Sequence, residues 1–306
     1  MQEIILEASN EDSDNEENSY FSNIKKEFIC LKLKNTRLSN NSFNNINEFE
    51  KKASNIYFSY LSCKDNYAGN YDNYVGTTLR HIISIQDLPF EKALSDPNMY
   101  INYPFKQVKE SLDPNKKLIL LDLDETLVHS EYNIENKNMN IYDTVIKFKD
   151  SSCDSDCYYE VGVFIRNGVQ EFLKILNRYF IVGIFTASDK DYADAIIQYL
   201  DPNKNMIKFC LYRDNCINMN DMINIKDLRI IKGIDLKKTV LIDNNIYSFT
   251  TQLSNGILID SFYGDKNDAE LYNVLNYLLK FILPADDIRE VNDKFFGFKR
   301  ISQKLE

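Results

Sequence analysis

The chain has 306 residues, enough for one large domain or two modest ones, and 44% of them are hydrophobic, with 20 Tyr and 19 Phe, which excludes global disorder. Its 36 Lys and Arg against 46 Asp and Glu leave a net charge of -10, the wrong sign for a nucleic-acid binder that must neutralise phosphates. No apolar run approaches the roughly 20 residues that span a bilayer, no basic segment leads into an apolar one as in a secretory signal, and six cysteines are too few for a disulfide scaffold.

Residues 1–24 hold seven acids and no base, and read as a disordered acidic leader. Without them the chain carries only -3, so the low pI is mostly a property of this leader. Residues 25–112 form an Asn-rich extension with no sustained period, partly ordered, with helical stretches around 79–85 and 90–94. From Asp113 the pattern sharpens into a domain expected over 113–285, followed by a C-terminal tail over 286–306.

Within that domain, residues 118–121 are a continuous apolar run, as in a strand buried on both faces. Residues 142–148 and 158–165 alternate apolar and polar positions, which predicts a small antiparallel insertion over about 130–163. Asn167 is a candidate N-cap for a helix over 168–178, with Val169, Phe172, Leu173 and Leu176 on one face. A second buried strand is predicted over 180–185. Ser188 then caps a helix carrying Tyr192, Ile196, Tyr199 and Leu200, which stops before Pro202. Apolar runs at 240–242 and 257–259 are further strands, and Asp268 caps a helix striped by Leu271, Val274, Leu275, Leu278 and Ile282 up to Pro284. Strands alternating with helices predict an α/β fold with a parallel sheet. Cys153 and Cys157 with Cys210 and Cys216 lack the spacing of a zinc ribbon or finger, so free thiols in a reducing compartment are expected.

Each predicted buried strand ends in polar residues: Asp122-Leu123-Asp124-Glu125-Thr126, Thr186-Ala187-Ser188 and Asp243-Asn244. Ligands of an open parallel sheet bind at the carboxyl ends of its strands, so these clusters should share one crevice. Like charges in a crevice raise one another's pKa, which calls for a cation. Oxygen ligands alone point to magnesium and to substrates that bring phosphate. Lys226, in Ile225-Lys226-Asp227-Leu228, is a candidate second positive charge.

The run Leu121-Asp122-Leu123-Asp124-Glu125-Thr126-Leu127-Val128-His129 resembles the first motif of the haloacid-dehalogenase superfamily. More narrowly, it is similar to the FCP/SCP type, also called NLI-interacting-factor-like, the phosphatases of the RNA polymerase II C-terminal domain. Phe185-Thr186-Ala187-Ser188, Asp191-Tyr192-Ala193-Asp194, Leu211-Tyr212-Arg213-Asp214-Asn215-Cys216, Leu241-Ile242-Asp243-Asn244 and Asn267-Asp268-Ala269-Glu270-Leu271 follow in the family's order. The resemblance runs over about 114–285 and implies the Rossmann-like parallel sheet of that superfamily with a small antiparallel insertion after the first motif.

It also implies a two-step phosphoryl transfer. Asp122 would attack phosphorus and form an aspartyl-phosphate. Asp124 would protonate the departing serine or threonine oxygen, then deprotonate the hydrolysing water. Mg2+ would be held by Asp122, the Asp124 backbone carbonyl and Asn244, supported by Asp243. Thr186, Ala187 and Lys226 would bind the phosphoryl oxygens, and Tyr192 and Arg213 stand at family positions that contact the phosphopeptide. His129 belongs to the motif but is read as a structural, hydrogen-bonded group.

The chain departs from the family at Arg166-Asn167-Gly168 for Arg-Pro-Gly, at Asn245-Ile246 for Ser-Pro, and at Phe262 for a Trp. Those differences bear on substrate identity and leave the chemistry intact. Two other readings compete. A small-molecule phosphatase of the superfamily often carries a large cap, for which the insertion is too short. A non-catalytic phosphopeptide scaffold would not require both Asp122 and Asp124. The expectation is therefore a monomeric, nuclear or cytoplasmic protein phosphatase of the small, single-domain type. Its substrate would be a phosphoprotein such as the polymerase tail, with no nucleic-acid or membrane partner.

Overall fold

Leu118–Leu121 forms β1, the centre of a five-stranded parallel sheet, and all four of its residues are buried. The computed structural model describes residues 113–296, apart from 133, 135–137, 154–156, 220–222 and 232; the expected leader, the Asn-rich extension with its two helical stretches, and the end of the expected tail lie outside the described residues. Beside β1 run β5 (Ile181–Phe185) and β9 (Thr239–Asp243), both wholly buried, with β6 (Phe209–Leu211) and β10 (Gly256–Leu258) at the edges. Strands buried on both faces are what their unbroken apolar runs predict.

The register decides where the polar strand ends fall. Leu121 pairs with both Ile184 and Ile242, so the next residues, Asp122, Phe185 and Asp243, are level with one another. The Asp122 N–H donates to the Ile242 carbonyl at 2.9 Å, which continues the ladder one residue past β1.

The chain leaves the parallel sheet after β1 and builds the antiparallel insertion: β2 (Val128–Glu131), β3 (Thr144–Lys149) and β4 (Tyr158–Ile165), in the order β2-β4-β3. The alternation read in the sequence holds along β3, whereas β4 is exposed at 158–160 and buried at 161–163. Ile146, Phe148, Val161 and Val163 share one face of β3 and β4, and Phe148 meets the Tyr192 ring edge-on at 5.7 Å. The loop joining β3 to β4 corrects the expectation of free thiols, because Cys153 and Cys157 are joined in a disulfide. Their α-carbons lie 6.2 Å apart, inside the range a disulfide accepts, while Cys210 and Cys216 are not disulfide-bonded.

Among the described residues the α-helices are α1 (Val169–Tyr179), α2 (Lys190–Leu200), α3 (Glu270–Tyr277) and α4 (Ile288–Phe295). Two caps differ from expectation. Gly168, at φ 81°, occupies the N-cap position of α1, and a β-carbon there would lie 2.7 Å from the Tyr272 hydroxyl. Asn167 donates instead to the carbonyls of Lys266 and Asp268. At α2 the N-cap position falls on Asp189, because the Ser188 hydroxyl is taken by Asp124. The stripe of α3 continues through a single wide turn over Leu278–Ile282 to Pro284. Elements the sequence reading lacked are β6, the hairpin of β7 (Ile217–Met219) and β8 (Ile223–Ile225), the 3-10 turns over Ile246–Asn255, and α4, which lies within the stretch set apart as a tail.

Gly256 marks the tightest approach. A β-carbon there would stand 2.2 Å from Cδ2 of Phe249, a side chain with no exposure. Gly256→Ala is expected to destabilise the chain by about 1–3 kcal/mol through overpacking. Urea titration checks it, and an unchanged midpoint would show that Phe249 yields without cost.

Candidate active site

Three buried charges meet where β1 and β9 end. Lys226 Nζ donates to Asp122 Oδ1 at 2.5 Å and to Asp243 Oδ2 at 2.6 Å, and all three side chains are at least nine-tenths buried. Lys226 arrives just after β8 and is anchored by its own N–H on the Ser248 carbonyl at 2.7 Å. One ammonium against two carboxylates leaves the cluster short of positive charge. Burial, followed by the Asp243 charge, pushes the Asp122 carboxyl up to about 7 against the pull of Lys226. Burial also works against the charge of Lys226, but the two carboxylates outweigh it and hold the ammonium above its ordinary pKa.

Asp124 lies beside this cluster. Its Oδ2 accepts from the Ser188 hydroxyl at 2.5 Å, and its Oδ1 from the Tyr192 phenol, whose oxygen in turn accepts from the Ser130 hydroxyl at 2.7 Å. Burial raises the Asp124 carboxyl, and the Ser188 and Tyr192 bonds oppose the rise. A carboxyl raised in this way holds a proton more readily than a surface aspartate, which suits a general acid.

The remaining predicted residues fall around these two aspartates. Thr126 Oγ1 stands 3.1 Å from Asp122 Oδ2 and 3.4 Å from Asn244 Oδ1, and Asn244 Nδ2 donates to Ser261 Oγ at 3.0 Å. Asp243 is set deeper, its Oδ1 accepting the Asn245 N–H at 2.7 Å. The Thr186 N–H is spent on the Leu211 carbonyl at 2.9 Å, and its hydroxyl accepts the Ser188 N–H at 3.0 Å. The Ala187 carbonyl accepts from Arg213 Nε at 2.7 Å. Arg213 pairs with Asp189 at 2.9 Å on the exposed rim, whereas Tyr192 is only 5% exposed.

Sequence reasoning missed Ser188 and Thr126 as partners of the two aspartates, and Ser130 as a partner of Tyr192. Ser188 and Thr126 stood inside the quoted motifs, one read as a helix cap and the other only as part of a polar strand end. A hydroxyl three positions beyond a buried strand was the available signal for Ser188. Ser130 had none, since only the return of β2 toward α2 brings it to Tyr192.

The oxygen donors fit a magnesium ion. Asp122 Oδ2 and Asn244 Oδ1 approach one another around Thr126, while Lys226 occupies the opposite oxygen of Asp122. Among the described residues no three His, Cys, Asp or Glu side chains cluster as a metal site. An amide, a backbone carbonyl and waters would therefore have to complete the shell, as magnesium commonly accepts.

A family model described as NLI interacting factor-like phosphatase matches residues 117–289. The chain is 39% identical over 197 residues to CTD small phosphatase-like protein 2 of Dictyostelium discoideum, covering 64% of this chain and 32% of that one. To human carboxy-terminal domain RNA polymerase II polypeptide A small phosphatase 2 it is 30% identical over 191 residues, covering 60% of this chain and 66% of that one. The chain thus spans about a third to two thirds of the length of these relatives. Among solved structures, fission yeast RNA polymerase II CTD phosphatase Fcp1 bound to beryllium fluoride superposes with a TM-score of 0.42 at 18% identity, over 62% of this chain and 53% of that one. Among the described residues no helix is long and apolar enough to cross a membrane.

Proposed function

Because the chain belongs to the NLI interacting factor-like phosphatase family, we propose that it is a magnesium-dependent protein serine/threonine phosphatase working through an aspartyl-phosphate. The observation that carries the reading is the meeting of Asp122, Asp124, Lys226, Asp243 and Asn244 at the carboxyl ends of β1 and β9, with Ser188 reaching in from the end of β5. The catalytic unit is the expected 113–285 domain, and the substrate is a phosphoprotein such as the RNA polymerase II C-terminal domain, met in the nucleus or cytoplasm.

An Asp122 carboxylate oxygen attacks phosphorus as the seryl or threonyl oxygen departs. Asp124 gives that oxygen its proton, since an alkoxide is a poor leaving group. The Asp124 carboxylate then takes a proton from the water that hydrolyses the acyl phosphate, releasing orthophosphate and restoring Asp122. Lys226, with Thr186 and Ala187 at the end of β5, supplies fixed donors for charge spread over the phosphoryl oxygens. Asp122, the Asp124 carbonyl and Asn244 would hold magnesium, supported by Asp243. The ion would neutralise charge on the transferring group.

Tyr192 and Arg213 flank the path a peptide would take. Tyr192 also keeps Asp124 aimed through its phenol, and the Tyr132 ring stands 6.1 Å from it as a second aromatic surface. The small three-stranded insertion favours an open site that admits a peptide over one closed around a metabolite.

Turnover of p-nitrophenyl phosphate with magnesium, lost in EDTA and restored by added magnesium, is the expected result. Turnover unaffected by EDTA would remove the metal from the reading. Phosphopeptides carrying single phosphoserines from the polymerase tail should outcompete a panel of phosphorylated metabolites in kcat/KM. The reverse ranking would transfer the assignment to a small-molecule phosphatase.

A further inference from the structure

Directly after Asp124 the backbone takes a form that a side chain ordinarily avoids. Glu125 has φ 55°, in the left-handed region where a β-carbon crowds its own backbone and where glycine is usual. Three contacts hold this residue in place. Its N–H donates to the Val128 carbonyl at 2.7 Å, and its carbonyl accepts from the Phe262 N–H at 2.8 Å. Its carboxylate meets His129 Nδ1 at 3.0 Å. The His129 ring is itself confined, with Phe164 stacked at 6.1 Å and Tyr263 edge-on at 5.3 Å.

The consequence reaches Asp124 through the peptide bond they share. A trans peptide is planar, so its C=O and N–H point in opposite directions. With the Glu125 N–H committed to Val128, the Asp124 carbonyl must face away from the turn. On the other side of the same Cα, the Asp124 side chain leaves the backbone toward Ser188 and Tyr192, so a shift of this peptide would be felt by its carboxylate. A glycine would reach this φ freely but could not be tethered.

We propose that Glu125 is a positioning residue, whose tether to His129 locks the left-handed turn that aims the carboxyl and carbonyl of Asp124. The inference rests on the phosphatase reading, in which Asp124 is the acid and base.

The test compares Glu125→Gly, Glu125→Gln and His129→Phe with the wild type, by steady-state kinetics on p-nitrophenyl phosphate and by thermal midpoint in EDTA. Glu125→Gly removes the tether and the backbone strain together. It should lower kcat by about 10–100-fold with KM within about threefold, while the midpoint holds or rises. Glu125→Gln keeps an acceptor for His129 and should restore kcat to within about threefold of wild type. His129→Phe keeps the ring packing and drops the tether, so it should lose activity like Glu125→Gly. The double variant should lose no more than either single one. Unchanged kcat in Glu125→Gly and His129→Phe overturns the inference, as does a loss of kcat that tracks a loss of midpoint. Failure of Glu125→Gln to restore turnover overturns it too. If Glu125→Gly does not fold, His129→Phe decides. A wild type inert with magnesium overturns the phosphatase reading and this inference together, whereas an active wild type confines any failure to the inference.

Discussion

Asp122→Asn is expected to lower kcat on p-nitrophenyl phosphate by roughly 10^4-fold or more, because an amide cannot replace a carboxylate as the nucleophile. The fold should survive the change. Asn has the shape of Asp, and it removes one of two negative charges that share a single buried ammonium. Burial and Asp243 push the Asp122 carboxyl up to about 7 from 3.8, so its charge is a cost to the folded state. The sign follows from proton binding. Between about pH 4 and pH 7 the folded chain retains a proton that the unfolded chain has released. This group therefore favours folding at low pH, and the benefit fades as pH rises through that window. In EDTA, Asp122→Asn should lose this component, melting at or above the wild type at pH 7.5. Stopped turnover with an intact melt would assign the loss to chemistry. Equal turnover by the two proteins would sink the nucleophile assignment.

Arg166→Met is expected to cost about 3–5 kcal/mol, the usual penalty for removing one partner of a buried ion pair. Arg166 is fully buried beneath the site. It holds Asp268 through two bonds of 2.8 Å, and donates to the Thr126 carbonyl at 3.0 Å and the Asp260 carbonyl at 2.7 Å. Asp268 in turn accepts the Glu270 N–H at the start of α3, so one guanidinium joins the end of the insertion, the first motif and a helix start. Met fills similar volume but satisfies none of the four acceptors. The melting temperature should fall by roughly 6–20 °C for a domain of this size. Arg166→Lys should recover little, because an ammonium cannot reproduce the planar two-point contact with Asp268. A midpoint within about 2 °C of wild type for Arg166→Met would show that water replaces the guanidinium at little cost.

The central strands of the parallel sheet were legible because an unbroken apolar run has few other places to go, and β1, β5 and β9 lie where the runs at 118–121, 180–185 and 240–242 stand. The short strands β6, β7 and β8 were not read, although β10, equally short, was marked by the apolar run at 257–259; β7 and β8 each carry a central Asn that breaks the run. The two helix caps went astray for a related reason. Asn167 and Ser188 are good caps by composition, but each hydrogen-bonds to a distant part of the chain instead. The disulfide likewise depends on the β3–β4 loop bringing Cys153 and Cys157 together, which spacing alone does not specify.

By itself the sequence determined that Asp122, Thr186 and Asp243 stand at the carboxyl edge of one sheet. Buried parallel strands must end there, and the first polar residue after each run has to follow. It also carried the family's motifs in order, and with them the expected roles. Tertiary structure alone decided which atom each polar group answers: Lys226 between Asp122 and Asp243, Tyr192 and Ser188 on the two oxygens of Asp124, and Arg166 beneath Thr126. The physical reason is that a buried donor or acceptor must be satisfied but is indifferent to the sequence distance of its partner. Local pattern can say that Lys226 is polar in an apolar setting; only the packed chain says that it neutralises a carboxylate 104 residues away.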